Sequence, residues 1–200
     1  MRKSHLLLHG IALKKAADIA GIAAVTGLDP DEAEGLATDA VARGQVVESG
    51  GRYLLTPAAH MALQAEYPRY YSEQRSSAAM QDAYDAFEAH NRELKALISD
   101  WQTIEVAGDR IANDHSDKDY DTRIIDRLGD LHERFEPVLD RLAAEVGRLS
   151  IYKTLLLDAL EKAEVGQHEW VSDAAIPSYH TVWFEMHEDL LRILGREREE

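Results

Sequence analysis

The chain carries nine histidines and 37 acidic residues in 200 positions, so His–carboxylate pairs at helical spacing arise by chance. Among them are His90-x-x-Glu93, His115-x-x-x-Asp119 and His132-x-x-x-Glu136. A helix-borne metal site needs more, a Glu-x-x-His or His-Glu-x-x-His arrangement that aims several ligands at one point, and neither is present. With no cysteine there are no thiolate zinc sites, no disulfides and no cysteine nucleophile. No glycine-rich phosphate cradle and no Gly-x-Ser-x-Gly elbow occurs either. These pairs read as surface hydrogen bonds. No catalytic residue, metal or cofactor is expected.

Polar residues at apolar positions are more informative. His180, Trp183, Phe184, His187, Leu191 and Leu194 share one face of a helix. Asn91 interrupts an otherwise apolar stripe, Met80, Tyr84, Phe87, Leu94, Ile98 and Trp101. A buried polar group needs a partner, and an unmatched one costs about 1–3 kcal/mol. One reading is a satisfied network in which Asn91, His180 and His187 face the interior as one hydrogen-bonded set and fix helix register. The other is a pocket or docking surface built from Asn91, Tyr179, His180, Trp183 and His187. Trp101 and the polar run Asn113-Asp114-His115 complete that candidate set. His180 and His187 lie seven residues apart, roughly 10 Å along a helix, too far to chelate one ion unaided.

The elements that must hold these residues are mostly helices. Leu6, Leu7, Ile11 and Leu13 mark a first helix and Ala16 to Thr26 a second. Asp29-Pro30 with Glu32 carries a cap, a proline at the first position and a capping-box acid for a third, ending near Gly44. Val46-Val47-Glu48 and Tyr53-Leu54-Leu55 flank a glycine turn and read as a hairpin, after which Thr56-Pro57 opens another helix. Beyond residue 66, where all Trp and Phe residues lie, the Asn91 stripe forms one long helix. A break follows at Gly108. A second stripe runs from Ile124 to Leu149, kinked or divided by Pro137. Tyr152 to Ala163 gives a third helix, Trp170 to Ile176 an irregular link, and Pro177-Ser178 opens the last helix. The expected organisation is residues 1–66 as one domain and 67–200 as an acidic antiparallel helical bundle.

The net charge is −15, of which residues 1–66 carry −2 and residues 67–200 carry −13. Such a balance disfavours nucleic-acid and acidic-membrane partners unless a basic patch is segregated, and the near-neutral first part is not one. No stretch is apolar enough to span a membrane, and the basic-then-apolar start is broken by His9 and Gly10; a cytoplasmic location is expected.

Helix, helix, turn, helix, two-stranded wing, helix is the winged-helix order. Ala17–Thr26, Gly27-Leu28, the Asp29–Arg43 helix, Gly44-Gln45-Val46-Val47 and Gly50-Gly51-Arg52-Tyr53-Leu54-Leu55-Thr56-Pro57 resemble the corresponding stretch of MarR-type regulators. The resemblance implies a mainly α fold with an N-terminal winged helix-turn-helix. It also raises DNA binding, in which the third helix leads into the major groove with its N-terminal end. Here that end carries Asp29, Asp31, Glu32 and Glu34, and the bases on offer are Arg43 at the far end and Arg52 at the wing.

A second likeness covers nearly the whole chain. Asn113-Asp114-His115-Ser116-Asp117, Tyr120-Asp121, Ser178-Tyr179-His180-Thr181-Val182-Trp183-Phe184-Glu185, His187-Glu188-Asp189-Leu190-Leu191 and Leu194-Gly195-Arg196-Glu197, together with the winged helix, resemble a region of actinobacterial proteins related to pyruvate, phosphate dikinase and other phosphoenolpyruvate-utilising phosphotransferases. There the region looks like an appendage to, or companion of, the nucleotide-binding and phosphohistidine domains. Those domains have no counterpart in these residues, so the family's phosphotransfer residues have no positions here. The resemblance implies a non-catalytic accessory or regulatory subunit whose partners are phosphotransferase components. The alternative is a MarR-like transcriptional regulator, with the bundle binding an effector or forming a homodimer.

Overall fold

The computed structural model describes residues 2–106 and 108–197. It is 74% helical, with ten α-helices and two small antiparallel hairpins among the described residues, so the chain is mainly α. Two compact units are present, Met1–Ser77 with Glu185–Glu200, and Ala78–Phe184. The change in aromatic content at residue 66 marks neither limit, because the helix there continues to Tyr70 and the chain from Glu185 onward packs with the N-terminal unit.

The first unit contains α1 (Lys3–Lys14), α2 (Ile19–Thr26), α3 (Pro30–Ala42), β1 (Val46–Ser49), β2 (Arg52–Leu55), α4 (Pro57–Tyr70) and α5 (Ser72–Ser76). Short side chains supply the starts. Asp18 accepts from Gly21 N, Asp29 from the amides of Asp31 and Glu32, and Thr56 from Ala59 N, so each helix has orphan donors satisfied. Gly27, at φ +70°, ends α2 in the left-handed conformation glycine adopts freely. The hairpin register pairs Val46 with Leu55 and Val47 with Leu54 across a Gly50-Gly51 turn. A bridge from Ala17 to Tyr53 covers the outer edge of β2. Leu7, Ile11, Ile22, Ala33, Ala37, Leu63 and Tyr67 form the buried centre. Removing such side chains from water contributes about 1.5–3 kcal/mol for each large one.

The second unit contains α6 (Ala78–Gln102), β3 (Thr103–Val106), β4 (Asp109–Ala112), α7 (Lys118–Glu145), a 3-10 turn at Gly147–Ser150, α8 (Ile151–Glu164), α9 (Glu169–Ser172) and the first residues of α10 (Tyr179–Leu194). The stripe from Met80 to Trp101 is buried throughout and packs on α7, where Ile124, Leu128, Leu131, Phe135, Leu139 and Leu142 are buried in turn. Three expectations need correction. The break at Gly108 is the turn of a second hairpin, Thr103 pairing with Ala112 and Ile104 with Ile111. Pro137 does not divide α7; it lies on the exposed face, where the carbonyl it leaves without a donor can be hydrated. The link after Gly166 includes the short helix α9.

Candidate functional site

In the second unit a polar cluster forms where α6 ends and α7 begins. Asp121, in the first turn of α7, is fully buried, because the apolar face of that helix continues from Ile124 and Ile125 back to it. Its carboxylate accepts from Asn113 Nδ2 at 3.0 Å and from His115 Nδ1, which lies 3.1 Å from each oxygen. His168 Nδ1 stands 3.7 Å from Asp121 Oδ2. The Trp101 ring packs beneath, 4.5 Å from His115 and edge-on to His168 at 5.6 Å between centroids.

Asn113 ties the cluster to the backbone. Its amide donates also to the Trp101 carbonyl, and its side-chain oxygen accepts from His115 N. That turn holds His115 at φ +58°, a conformation costly for a residue with a β-carbon. Two half-exposed imidazoles thus converge on one buried carboxylate, His115 bonded to it and His168 close by. His115 donates from Nδ1 to the acid, which leaves its Nε2 facing away, whereas His168 at 3.7 Å is beyond hydrogen-bond distance. Among the described residues no three His, Asp or Glu side chains are placed to hold a metal ion. A polar recess of 590 Å³ lies on residues next to the cluster in sequence, including Asp100, Thr103, Arg110, Tyr120 and Arg127. Asp100 ties both arginines, at 3.3 Å and 3.0 Å.

The sequence set therefore divides. Trp101, Asn113 and His115 come together. Asp114 is exposed and turned away to cap Ser116, whose hydrogen bonds to its carboxylate hold its pKa below the usual range. Asp121 and His168 complete the cluster and escape motif reading. Asp121 is detectable as an acid on the apolar stripe of α7, as Asn91 is on α6. His168 carries no comparable signal.

A second cluster sits deeper in the same unit. Trp183 Nε1 donates to Asn91 Oδ1 at 3.0 Å, Asn91 Nδ2 donates to Glu88 Oε2 at 3.1 Å, and Tyr84 Oη donates to Glu88 Oε1 at 2.7 Å. The Trp183 ring lies among Phe87, Phe135 and Tyr179. Tyr179 is fully buried; desolvation pushes its pKa well up, so its hydroxyl keeps its proton and donates to His132 Nδ1 at 3.1 Å. Burial likewise pushes the His132 pKa down against the pull of Glu136, Glu164 and Glu133. Of the set expected from Asn91, His180 and His187, Asn91 bonds to Trp183 and Glu88, and His180 is half-buried. His187 is buried, in the other unit.

The first unit has a polar centre that the sequence reading did not single out. His9, wholly buried on α1, donates through Nε2 to Asp189 Oδ1 at 3.0 Å and accepts at Nδ1 from Tyr67 Oη at 2.8 Å. Its signal is a histidine within Leu6-Leu7-Leu8-His9-Gly10-Ile11. Nearby Lys14 Nζ donates to Glu185 Oε1 at 2.7 Å. The other oxygen of Glu185 is buried without a partner, and burial raises its pKa while Lys14 opposes the shift.

The bases that would face DNA are exposed, and each is bonded within its own chain. Arg52 Nη2 donates to the Ala16 carbonyl at 2.7 Å. Arg43 donates from Nε to the Asp39 carbonyl at 3.1 Å and lies 3.4 Å from its carboxylate. The opposite end of α3 presents Asp31 and Glu34 to solvent, next to a half-buried Glu32 paired with Lys3 at 2.7 Å. Among the described residues no helix is long and apolar enough to cross a membrane. Compared with protein-family models, curated proteins and solved structures, the chain matches none.

Proposed function

We propose that this chain is a non-catalytic accessory or regulatory subunit that acts through protein–protein contacts, serving a phosphotransferase that uses phosphoenolpyruvate or ATP. The observation that carries the first half is the disposition of Arg43 and Arg52. They are the only bases between Asp29 and Pro57, and each is already bonded within its own chain. A DNA reader needs several cations free to meet phosphates, each adding to a salt-dependent affinity, and here the leading end of α3 is acidic. The acids suit the helix dipole and a basic protein surface. The class of enzyme rests on the likeness of the 113–121 and 178–197 segments to companion regions of such phosphotransferases.

The test has two arms. The chain is titrated against its own promoter DNA at low and physiological salt, and against any phosphotransferase encoded beside it, with enzyme activity measured with and without the chain. Association with the enzyme and a change in its activity, without a salt-resistant complex on DNA, support the reading. A nanomolar, sequence-selective DNA complex at physiological salt would make the chain a regulator of transcription. Stoichiometric phosphorylation of one of its own histidines would make it a carrier.

A further inference from the structure

In the second unit α7 and α8 pack together, and a recess of 240 Å³ remains between them. From α7 it takes His132, Glu136, Leu139 and Asp140, whose helical spacing puts them on one face. From α8 it takes Lys153 and Leu157, one turn apart. Lys153 and Asp140 pair with each other at the solvent side, so their charges cancel. Leu139, 1% exposed, and Leu157, 42% exposed, give the recess an apolar wall that runs from the core to water.

Its floor is a histidine with one nitrogen unspent. His132 is 4% exposed. Among the described residues the hydroxyl of fully buried Tyr179 has His132 Nδ1 as its one hydrogen-bond partner, so the phenol proton goes there. In the neutral ring an accepting Nδ1 leaves the proton on Nε2. That N–H bonds to nothing in the chain. Glu136 Oε1 stands 4.0 Å away, beyond hydrogen-bond distance, and Glu136 makes no hydrogen bond of its own among the described residues. The sealed polar atoms that lack a partner lie elsewhere, so Nε2 opens on the recess.

These two groups define the occupant. It places an acceptor against Nε2–H and a donor against Glu136. A carboxamide does both, because its oxygen and nitrogen sit about 2.3 Å apart on one carbon. A carboxylate has no proton for Glu136 and meets the field of Glu136, Glu164 and Glu133 around His132. An ammonium group has no lone pair for Nε2–H. The leucines call for an apolar body, and a recess below the roughly 300–1,000 Å³ of drug-sized sites keeps that body small.

We infer that the recess between α7 and α8 binds a small neutral carboxamide with an apolar substituent, its carbonyl accepting from His132 Nε2 and its N–H donating to Glu136. The substituent lies on Leu139 and Leu157. This site goes beyond the subunit reading and does not rest on it.

The probes are benzamide and isobutyramide, titrated into the full chain and followed by NMR of the histidine ring nitrogens and the backbone amides. Both should shift the His132 Nε2 resonance and saturate in the millimolar range expected of fragments this small. Benzoate and N,N-dimethylbenzamide, which lack the donor, should bind about tenfold or more weakly than benzamide. E136A and L157E alter exposed positions, and each should weaken benzamide by about the same factor while leaving the remaining amide spectrum in place. The inference falls if neither amide binds, if binding leaves His132 Nε2 unmoved, if either control matches benzamide, or if both variants bind it normally. None of these results bears on the subunit reading, which stands or falls on association with the enzyme.

Discussion

Trp183 and Asn91, ninety-two residues apart, are joined by a buried hydrogen bond of 3.0 Å from indole nitrogen to amide oxygen. The bond sets the rotation of α6 and α10 about their own axes within the second unit, because either helix turned by one residue would present an apolar side chain to the other's polar group. Replacing Asn91 by Leu should destabilise by about 1–3 kcal/mol, since the indole donor and one Glu88 oxygen lose their partner. The W183F change removes that donor, so the double variant should cost less than the sum of the singles. Urea unfolding of the four proteins measures the coupling. Strict additivity would mean that the bond contributes nothing.

The Asp121 cluster makes a different forecast. An Asp121→Ala change leaves Asn113 and His115 without their shared acceptor and should cost about 1–3 kcal/mol. At His115 the left-handed backbone separates two contributions. H115G and H115A both lose the imidazole, yet glycine adopts φ +58° without strain, so H115G should be the more stable by about 0.4–1 kcal/mol, as read in thermal melts. Equal stabilities would place the cost of the turn elsewhere.

Gly10 of α1 lies against α2. A β-carbon there would stand 2.5 Å from Thr26 Cγ2, well inside contact distance. Gly10→Ala should therefore destabilise by about 1–3 kcal/mol despite the higher helix propensity of alanine. T26S keeps the hydroxyl that donates to the Ile22 carbonyl at 2.7 Å and deletes the offending methyl. In that background G10A should be nearly neutral or stabilising.

His132 predicts a pH dependence. Its folded-state pKa is pushed below the ordinary imidazole value by burial. The unfolded chain therefore takes up the proton first as pH falls, and the contribution of the neutral ring is present above the ordinary value and lost as pH drops towards the folded one. Stability should fall across that window in the wild type and fall less in H132Q. Chemical denaturation at a series of pH values measures both slopes, and equal slopes would remove His132 from the acid response.

Much of the framework was legible because local rules and burial agree. Asp29-Pro30 and Thr56-Pro57 start helices as cap chemistry requires, and the 3–4 spacing of the α6 and α7 stripes names their buried faces residue by residue. The second hairpin was not, since Thr103–Val106 follows α6 without a break and four-residue strands leave little alternation to read. The last helix misled differently. Its apolar face was sought on one side, but from Val182 to Leu194 it is buried nearly all round, so Asp189 hides among apolar neighbours while Phe184 is left exposed. Partners distant in sequence, such as His168 for Asp121, follow from the path of the chain and not from spacing.

The bond between His9 and Asp189 spans 180 residues and has a consequence for how the protein is made. A ribosome exposes His9 well before Asp189, which follows only after the whole contiguous stretch Ala78–Phe184 has emerged. Throughout that interval the imidazole has no carboxylate to receive its proton, and burying it in the hydrophobic centre of α1 carries an uncompensated cost. The unit that begins first is thus the one that can close only after Asp189 has been added. A nascent or truncated chain ending before that residue keeps an incomplete, apolar N-terminal surface open to chaperones and proteases.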